Sequence, residues 1–258
     1  MEHHESWFTH FLNSVTGLHI PDHVAMSLLV MLLFAVFVLW LKPRLSAERP
    51  GATQQVVEWL ITNPLNVGIR DSIDQNIHHG HKYIAMIGTV GIFVLLANLI
   101  SVIPGLTSPT AVPAGPLACA LLTFVYFNAQ GAAHHGTGKY LAHFAGPGGP
   151  IGWGLIFPVE LISTTARILS LTVRLWANIF ASELIYLIIL RILIMPTAYS
   201  LEHLPGIGPI AGVVIGGISA ALLPVAFIGL HLFVAVVQSY VFTILPSVYL
   251  GMAVADEH

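Results

Sequence analysis

Residues 167–187 read RILSLTVRLWANIFASELIYL. The stretch holds neither proline nor glycine, and its apolar residues run on without the strict alternation of a strand. It reads as a helix in lipid. Inside it stands a lone cation, Arg174. Arginine cannot discharge itself by losing a proton, because its pKa lies above ~12. Placing that charge at bilayer depth costs at least ~2.5–3.5 kcal/mol on insertion scales. The stretch therefore marks both the architecture and a position that needs a functional reason.

The rest of the chain agrees with a lipid setting. Of its 258 residues, 56% are apolar and only 8% are charged. Soluble domains carry about 25% charged residues. Continuous apolar runs favour a bundle of helices over a barrel. The net charge of −3 and the absence of a basic cluster give no reason to expect a nucleic-acid partner. The one cysteine, Cys119, lies in the run LACALL and reads as a small packing residue, so no disulfide framework is expected. The opening MEHHESWFTHFLNSVTGLHIPDHV has acids and histidines where a signal peptide has lysine or arginine. The first apolar run is followed by KPRLSAER, which suits a mature first span.

The expected layout is a single membrane domain over residues 1–258. Residues 1–23 lie outside, span 1 is 24–41, and 42–81 is a cytoplasmic segment. Spans 2 and 3, at 82–103 and 112–133, form a hairpin about a Pro/Gly turn, IPGLTSPTAVPAGP. A cytoplasmic loop, 134–150, leads to a long helix at 151–195. An outside loop at 196–206 and a second long helix at 207–250 precede a cytoplasmic tail at 251–258. Within the first loop, Val56, Val57, Leu60, Ile61 and Leu65 could form the apolar face of a helix lying on the membrane surface. Lys42, Arg44, Arg49, Arg70, Lys82 and Lys139 all fall on one side of a five-span chain, which puts the amino terminus outside and the carboxyl terminus in the cytoplasm.

The two long stretches exceed a bilayer. At ~1.5 Å per residue, more than forty residues reach about twice the ~30 Å hydrocarbon core. Ordinary spans tilt by up to about 40°. Two steeply tilted helices are expected rather than four short ones, since no polar gap interrupts either stretch. Pro158 and Pro224 permit kinks.

With about 100° per residue and Arg174 at zero, Asn178 and Glu160 fall near +40°, Arg167 near +20°, Ser163 near −20° and Ser170 near −40°. Six polar residues thus share one narrow stripe, which in lipid faces protein or water. Glu183 falls near 180°, on a second polar face. On the final helix His231 and Gln238 lie seven residues apart and share a face. In an antiparallel hairpin, facing residues share a midpoint. The midpoints of the pairs Arg174–Gln238 and Glu183–His231 both fall inside the turn PGIGP, residues 205–209. Gln238 is therefore expected level with Arg174, and His231 level with Glu183. Glu and His can pass protons at accessible pKa values, whereas Arg cannot. A permanent cation inside an unbroken proton wire would repel the protons. Two half-wires with a barrier between them fit better, with a mobile carboxylate on another subunit carrying the proton past Arg174.

These residues carry a resemblance. SLTVRLWANIFASELIYLI and, later, HLFVAVVQSYVFTILPSVYLGMA closely resemble subunit a of the F-type ATP synthases. The strong motifs lie from about residue 80 onward; the earlier part matches in layout. The resemblance implies a non-catalytic, proton-translocating stator subunit of an ATP synthase, without cofactor or metal. It would serve in a bacterial plasma membrane, with the c-ring, the subunit b stalk and the lipid bilayer as partners. It implies that Arg174 is the essential charge barrier, with Asn178, Ser170 and Gln238 in support. Glu183 and His231 become the acid and imidazole of the outer half-channel.

Two departures stand out. Ser182 occupies a position where many relatives have glycine, and the 82–103 helix offers Asn98 and Ser101 where some relatives carry an acid. Blander readings exist for each residue: Arg174 as an ion-pair partner of Glu160 or Glu183, Glu183–His231 as a packing contact, Asn178 and Gln238 as interhelical glue. Arg191 reads as snorkelling to an interface. HHGH at 78–81 and His134–His135 resemble metal ligands in type but lack a Cys or acid framework. A secondary transporter, with Arg174 clamping a substrate carboxylate, is the rival function, although no internal repeat supports it. An intramembrane hydrolase would need a nucleophile–base pair or a His-Glu-x-x-His motif, and neither is present.

Overall fold

A computed structural model describes residues 6–46, 50–55, 81–103, 106–140, 152–203 and 208–254. The surface helix expected from Val56 to Leu65, the 141–150 loop and the 204–207 turn lie outside the described residues. Those residues form six helices of ten residues or more: α1 Trp7–Thr16, α2 Asp22–Leu41, α3 His81–Leu99, α4 Ala114–His135, α5 Phe157–His203 and α6 Gly208–Val254. Among the described residues, five helical stretches are long and apolar enough to cross a membrane: Asp22–Arg44, Ala85–Val102, Ala114–His135, Gly154–Ile185 and Val225–Val254. The chain is an all-α integral membrane protein, as its composition requires.

Local chemistry explains the short elements. Ser6 caps α1, its hydroxyl accepting from Thr9 N, and Gly17 closes the helix at φ 68°, a left-handed turn open to glycine. The Asp22 carboxylate opens α2 and accepts from the Ser6 amide at 3.1 Å, the Ser6 hydroxyl at 2.7 Å and the hydroxyls of Thr9 and Thr107. One acid thus ties α1 and the α3–α4 connection to the start of α2. The far side of α1 shows Trp7, Phe11 and Val15 at spacings of four, all exposed.

Three apolar clusters hold the helices together. Met26 and Val30 from the start of α2 pack with Ala97 near the end of α3 and with Ile100 in the turn that follows it. Tyr83 and Ile87 from the start of α3 pack with Phe127 near the end of α4 and with Leu250 and Val254 at the end of α6. These clusters place α3 antiparallel to α2, α4 and α6. Between them, Val90, Val94, Ala120 and Phe242 surround Leu171, Leu175 and Ile179 of α5. The α3–α6 contact is close: Ser239 Oγ donates to the Gly91 carbonyl at 2.7 Å, and a Cβ on Gly91 would collide with the Thr243 hydroxyl.

The last two helices are continuous and 47 residues each. At ~1.5 Å per residue each is about 70 Å long. Pro158 does not kink its helix. It sits in the first turn of α5, after a π-turn at Gly152–Ile156, where its missing N–H is not required. Helix α5 also runs to His203, beyond the expected loop start at 196. Hydropathy marks the lipid-facing length, and a helix can continue past it.

Candidate functional site

Helix α5 has three faces. Thr164, Leu171, Thr172, Leu175, Ile179 and Ser182 are buried and centre on about +100° from Arg174. Ile162, Leu169, Val173, Phe180 and Leu184 are exposed and centre on about −100°. The polar stripe runs along one boundary between them. Arg174 and Ser170 are exposed, and Asn178 is half-buried. Glu183, also half-buried, lies on the opposite boundary. Hydroxyls on α5 avoid stranding themselves by donating back to carbonyls one turn earlier: Thr164 to Glu160, Thr165 to Leu161 and Thr172 to Ile168, each at 2.8 Å.

The two arginines of the stripe differ. Arg167 reaches Glu160 at 3.8 Å, and its guanidinium stands 4.8 Å from the centre of the Tyr249 ring. Nearby, Tyr140 donates to Asn128 Oδ1 at 3.0 Å; burial pushes its phenol pKa up while Arg167 pulls it down. Among the described residues no acid pairs with Arg174, so the reading of Arg174 as a partner of Glu160 or Glu183 has no contact behind it.

His231 of α6 is buried and fully engaged. Its Nδ1 lies 3.2 Å from Ser182 Oγ of α5. Its Nε2 lies 3.0 Å from Ser101 Oγ and 3.1 Å from the Asn98 carbonyl oxygen. That carbonyl is available because α3 ends there: Leu99 is its last residue, and a 3-10 turn at Ile100–Val102 follows. Asn98 is itself fully buried. Its Oδ1 accepts from Thr110 Oγ1 at 2.6 Å, and among the described residues its Nδ2 has no hydrogen-bond partner.

The antiparallel register of α5 and α6 follows from two contacts. Ser182–His231 and Arg167–Tyr249 share midpoints near residues 206–208. Interhelical hydrogen bonds in membranes average only about 0.6 kcal/mol, so the apolar core around Leu175 and Phe242 sets this register more than the polar contact does. His231 meets Ser182, the residue before Glu183, and among the described residues it has no hydrogen bond to Glu183. Gln238 is buried on the same helix, seven residues on, and among the described residues it makes no hydrogen bond to Arg174.

Along α5, then, the His231 cluster lies toward the end shared with α1 and the end of α3. The Arg167–Glu160–Tyr249 group lies toward the carboxyl-terminal end of α6, with Arg174 between the two. The sequence reading passed over Asn98, Ser101 and Ser182 as partners of His231. The signal that could have found the first two is their place at the last turn of a span, where carbonyls and hydroxyls are free to face a neighbour.

Such an arrangement defines a class: a polytopic helical membrane protein with ionisable groups at several depths, suited to moving ions or protons. The comparisons narrow it. A family model described as ATP synthase A chain matches residues 24–251. The chain is 40% identical over 237 residues to ATP synthase subunit a of Solibacter usitatus (strain Ellin6076), covering 92% of this chain and 88% of that protein. It is 35% identical over 276 positions to ATP synthase subunit a of Koribacter versatilis (strain Ellin345), covering 99% of each. The chain belongs to the ATP synthase A-chain family, and with it to the proton-channel sector of the F-type ATP synthase.

Proposed function

We propose that this chain is the stator of the proton turbine, giving the carboxylates of a c-ring two offset aqueous half-channels with Arg174 as the fixed charge between them. The observation that carries this reading is the placement of Arg174. A guanidinium inside a span needs a counter-charge. In this chain it faces outward, on the boundary of the packed core, and has no acid partner among the described residues. The counter-charge then belongs to another subunit. A carboxylate that is protonated in lipid ionises when it comes beside a permanent cation, which forces proton release at that point and blocks direct leakage.

Asn178, Ser170 and Gln238 support Arg174 in this reading, as small or amide groups along the same path. Glu183 and the buried His231 cluster form the outer half-channel. The amino terminus is outside and the carboxyl terminus cytoplasmic, in a bacterial plasma membrane, with α5 and α6 steeply tilted around the ring and subunit b holding the stator. The transporter alternative requires a substrate carboxylate from solution instead of a ring.

Arg174→Ala is expected to abolish coupled ATP synthesis while the complex still assembles. Arg174→Lys is expected to fail nearly as badly, because lysine loses the planar fork and can shed its charge when desolvated. Synthesis rates in membrane vesicles, normalised to assembled complex, decide the matter. Wild-type synthesis in Arg174→Ala vesicles would overturn the barrier role.

A further inference from the structure

The protons around His231 can be counted. Ser182 Oγ lies 2.8 Å from the Ile179 carbonyl and 3.2 Å from His231 Nδ1. Ser101 Oγ lies 2.9 Å from the Asn98 carbonyl and 3.0 Å from His231 Nε2. A serine has one proton to give, and a carbonyl oxygen only accepts. Since Nε2 also lies 3.1 Å from the Asn98 carbonyl, Nε2 carries the proton of the neutral ring. Nδ1 is then the acceptor, and the hydroxyl within reach is that of Ser182. This hydroxyl has two acceptors, Nδ1 and the Ile179 carbonyl, and can serve one at a time.

We propose that the Ser182 hydroxyl is a proton relay to His231 Nδ1 in the outer half-channel, switching between Nδ1 and the Ile179 carbonyl as the ring is loaded and unloaded. The inference rests on the stator reading above. In the loading step a hydronium from the outer aqueous side gives a proton to Ser182 Oγ and becomes water. The serine's own proton crosses to Nδ1 as the O–H bond breaks and the N–H bond forms. Ser182 again holds one proton, the ring holds two, and the positive charge has moved from hydronium to imidazolium. Nδ1–H now donates to Ser182 Oγ, whose proton turns to the Ile179 carbonyl. Unloading reverses the turn. Glu183, the next residue along α5, is the ionisable neighbour of this relay on its own helix. From α3 the ring faces the Ser101 hydroxyl and the Asn98 carbonyl.

The geometry gives Ser182 this position because it is buried on the α5 face that meets α6. Alanine there would leave Nδ1 without its donor in the neutral state. Cysteine would keep the side-chain size but offer only a weak S–H donor. Threonine would keep the hydroxyl.

The test is ATP-driven proton pumping by the whole complex in inverted membrane vesicles, normalised to assembled complex. Ser182→Ala and Ser182→Cys are each expected to slow pumping about tenfold, below the range of a full general acid–base catalyst. Ser182→Thr is expected to recover most of the rate. Wild-type pumping by Ser182→Cys would show that only side-chain volume matters, and would overturn the relay. If Ser182→Ala pumps normally while His231→Ala is slow, the relay fails and the outer half-channel stands. If both pump normally, the outer half-channel reading fails as well.

Discussion

Arg167 and Arg174 lie seven residues apart on one stripe and have opposite surroundings. Arg167 reaches Glu160 and the Tyr249 ring within the chain, whereas among the described residues Arg174 has no such partner. Periodicity alone placed both on the same face; which of them is satisfied depends on the neighbour that α6 brings. The same limit applies to His231. The hairpin midpoint leads one to expect His231 level with Glu183; the hydrogen bond it makes is to Ser182, one residue earlier, and its partners Ser101 and Asn98 depend on where the end of α3 lands. At this scale Glu183→Gln and His231→Ala are each expected to reduce ATP synthesis without making the membrane freely proton-leaky, because Arg174 is untouched. Exchanging the two, with Glu183→His and His231→Glu together, keeps one acid and one imidazole. The double variant is expected to synthesise ATP faster than either single. Rates for all three, with passive proton leak measured alongside, check this; a double no better than the worse single would show that the two residues act separately.

Helices are where the sequence spoke most plainly. Apolar runs too long for one bilayer crossing became two unbroken 47-residue helices. Pro158, read as permitting a kink, lies in the first turn of α5, where a missing N–H is tolerated. What hydropathy could not reveal is how closely two helices approach. The stripe Ser239, Thr243, Ser247 on α6 has spacings of four and is buried. Ser239 donates to the Gly91 carbonyl, while Thr243 and Ser247 donate to carbonyls one turn earlier on their own helix. Small residues of this kind let helix backbones come together in lipid. Gly91→Val would put a Cβ against the Thr243 hydroxyl and add two methyl groups to a close contact, and overpacking of this sort costs about 1–3 kcal/mol. Gly91→Val is therefore expected to lower the amount of this chain recovered in the complex and its resistance to heating in detergent. Immunoblotting of membranes before and after heating measures both.

At the scale of the whole molecule, the alternation of helix directions was readable from span count alone, and the apolar clusters at the two ends of α3 agree with it. The three-dimensional grouping of polar residues was not, because it arises from contacts far apart in sequence, such as Asp22 with Thr107 and Ser101 with His231. In the proposed topology, expected from the distribution of basic residues, α1 lies outside and Lys139 in the cytoplasm. Ser14 and Lys139 are both exposed. In a Cys119→Ser background, Ser14→Cys is expected to react with a membrane-impermeant maleimide in spheroplasts with an intact plasma membrane. Lys139→Cys is expected to react only in inverted vesicles. The reverse pattern would turn the proposed topology over.

The outward-facing guanidinium of Arg174 also bears on biogenesis. A newly inserted copy with no ring beside it presents that cation to acyl chains, at a cost of at least ~2.5–3.5 kcal/mol on insertion scales. In the proposed complex a ring carboxylate would remove that penalty. The residue proposed to separate the half-channels would thus make a solitary copy a poorer membrane resident than an assembled one. In the proposed stator this penalty makes ring before stator the thermodynamically favoured order of assembly.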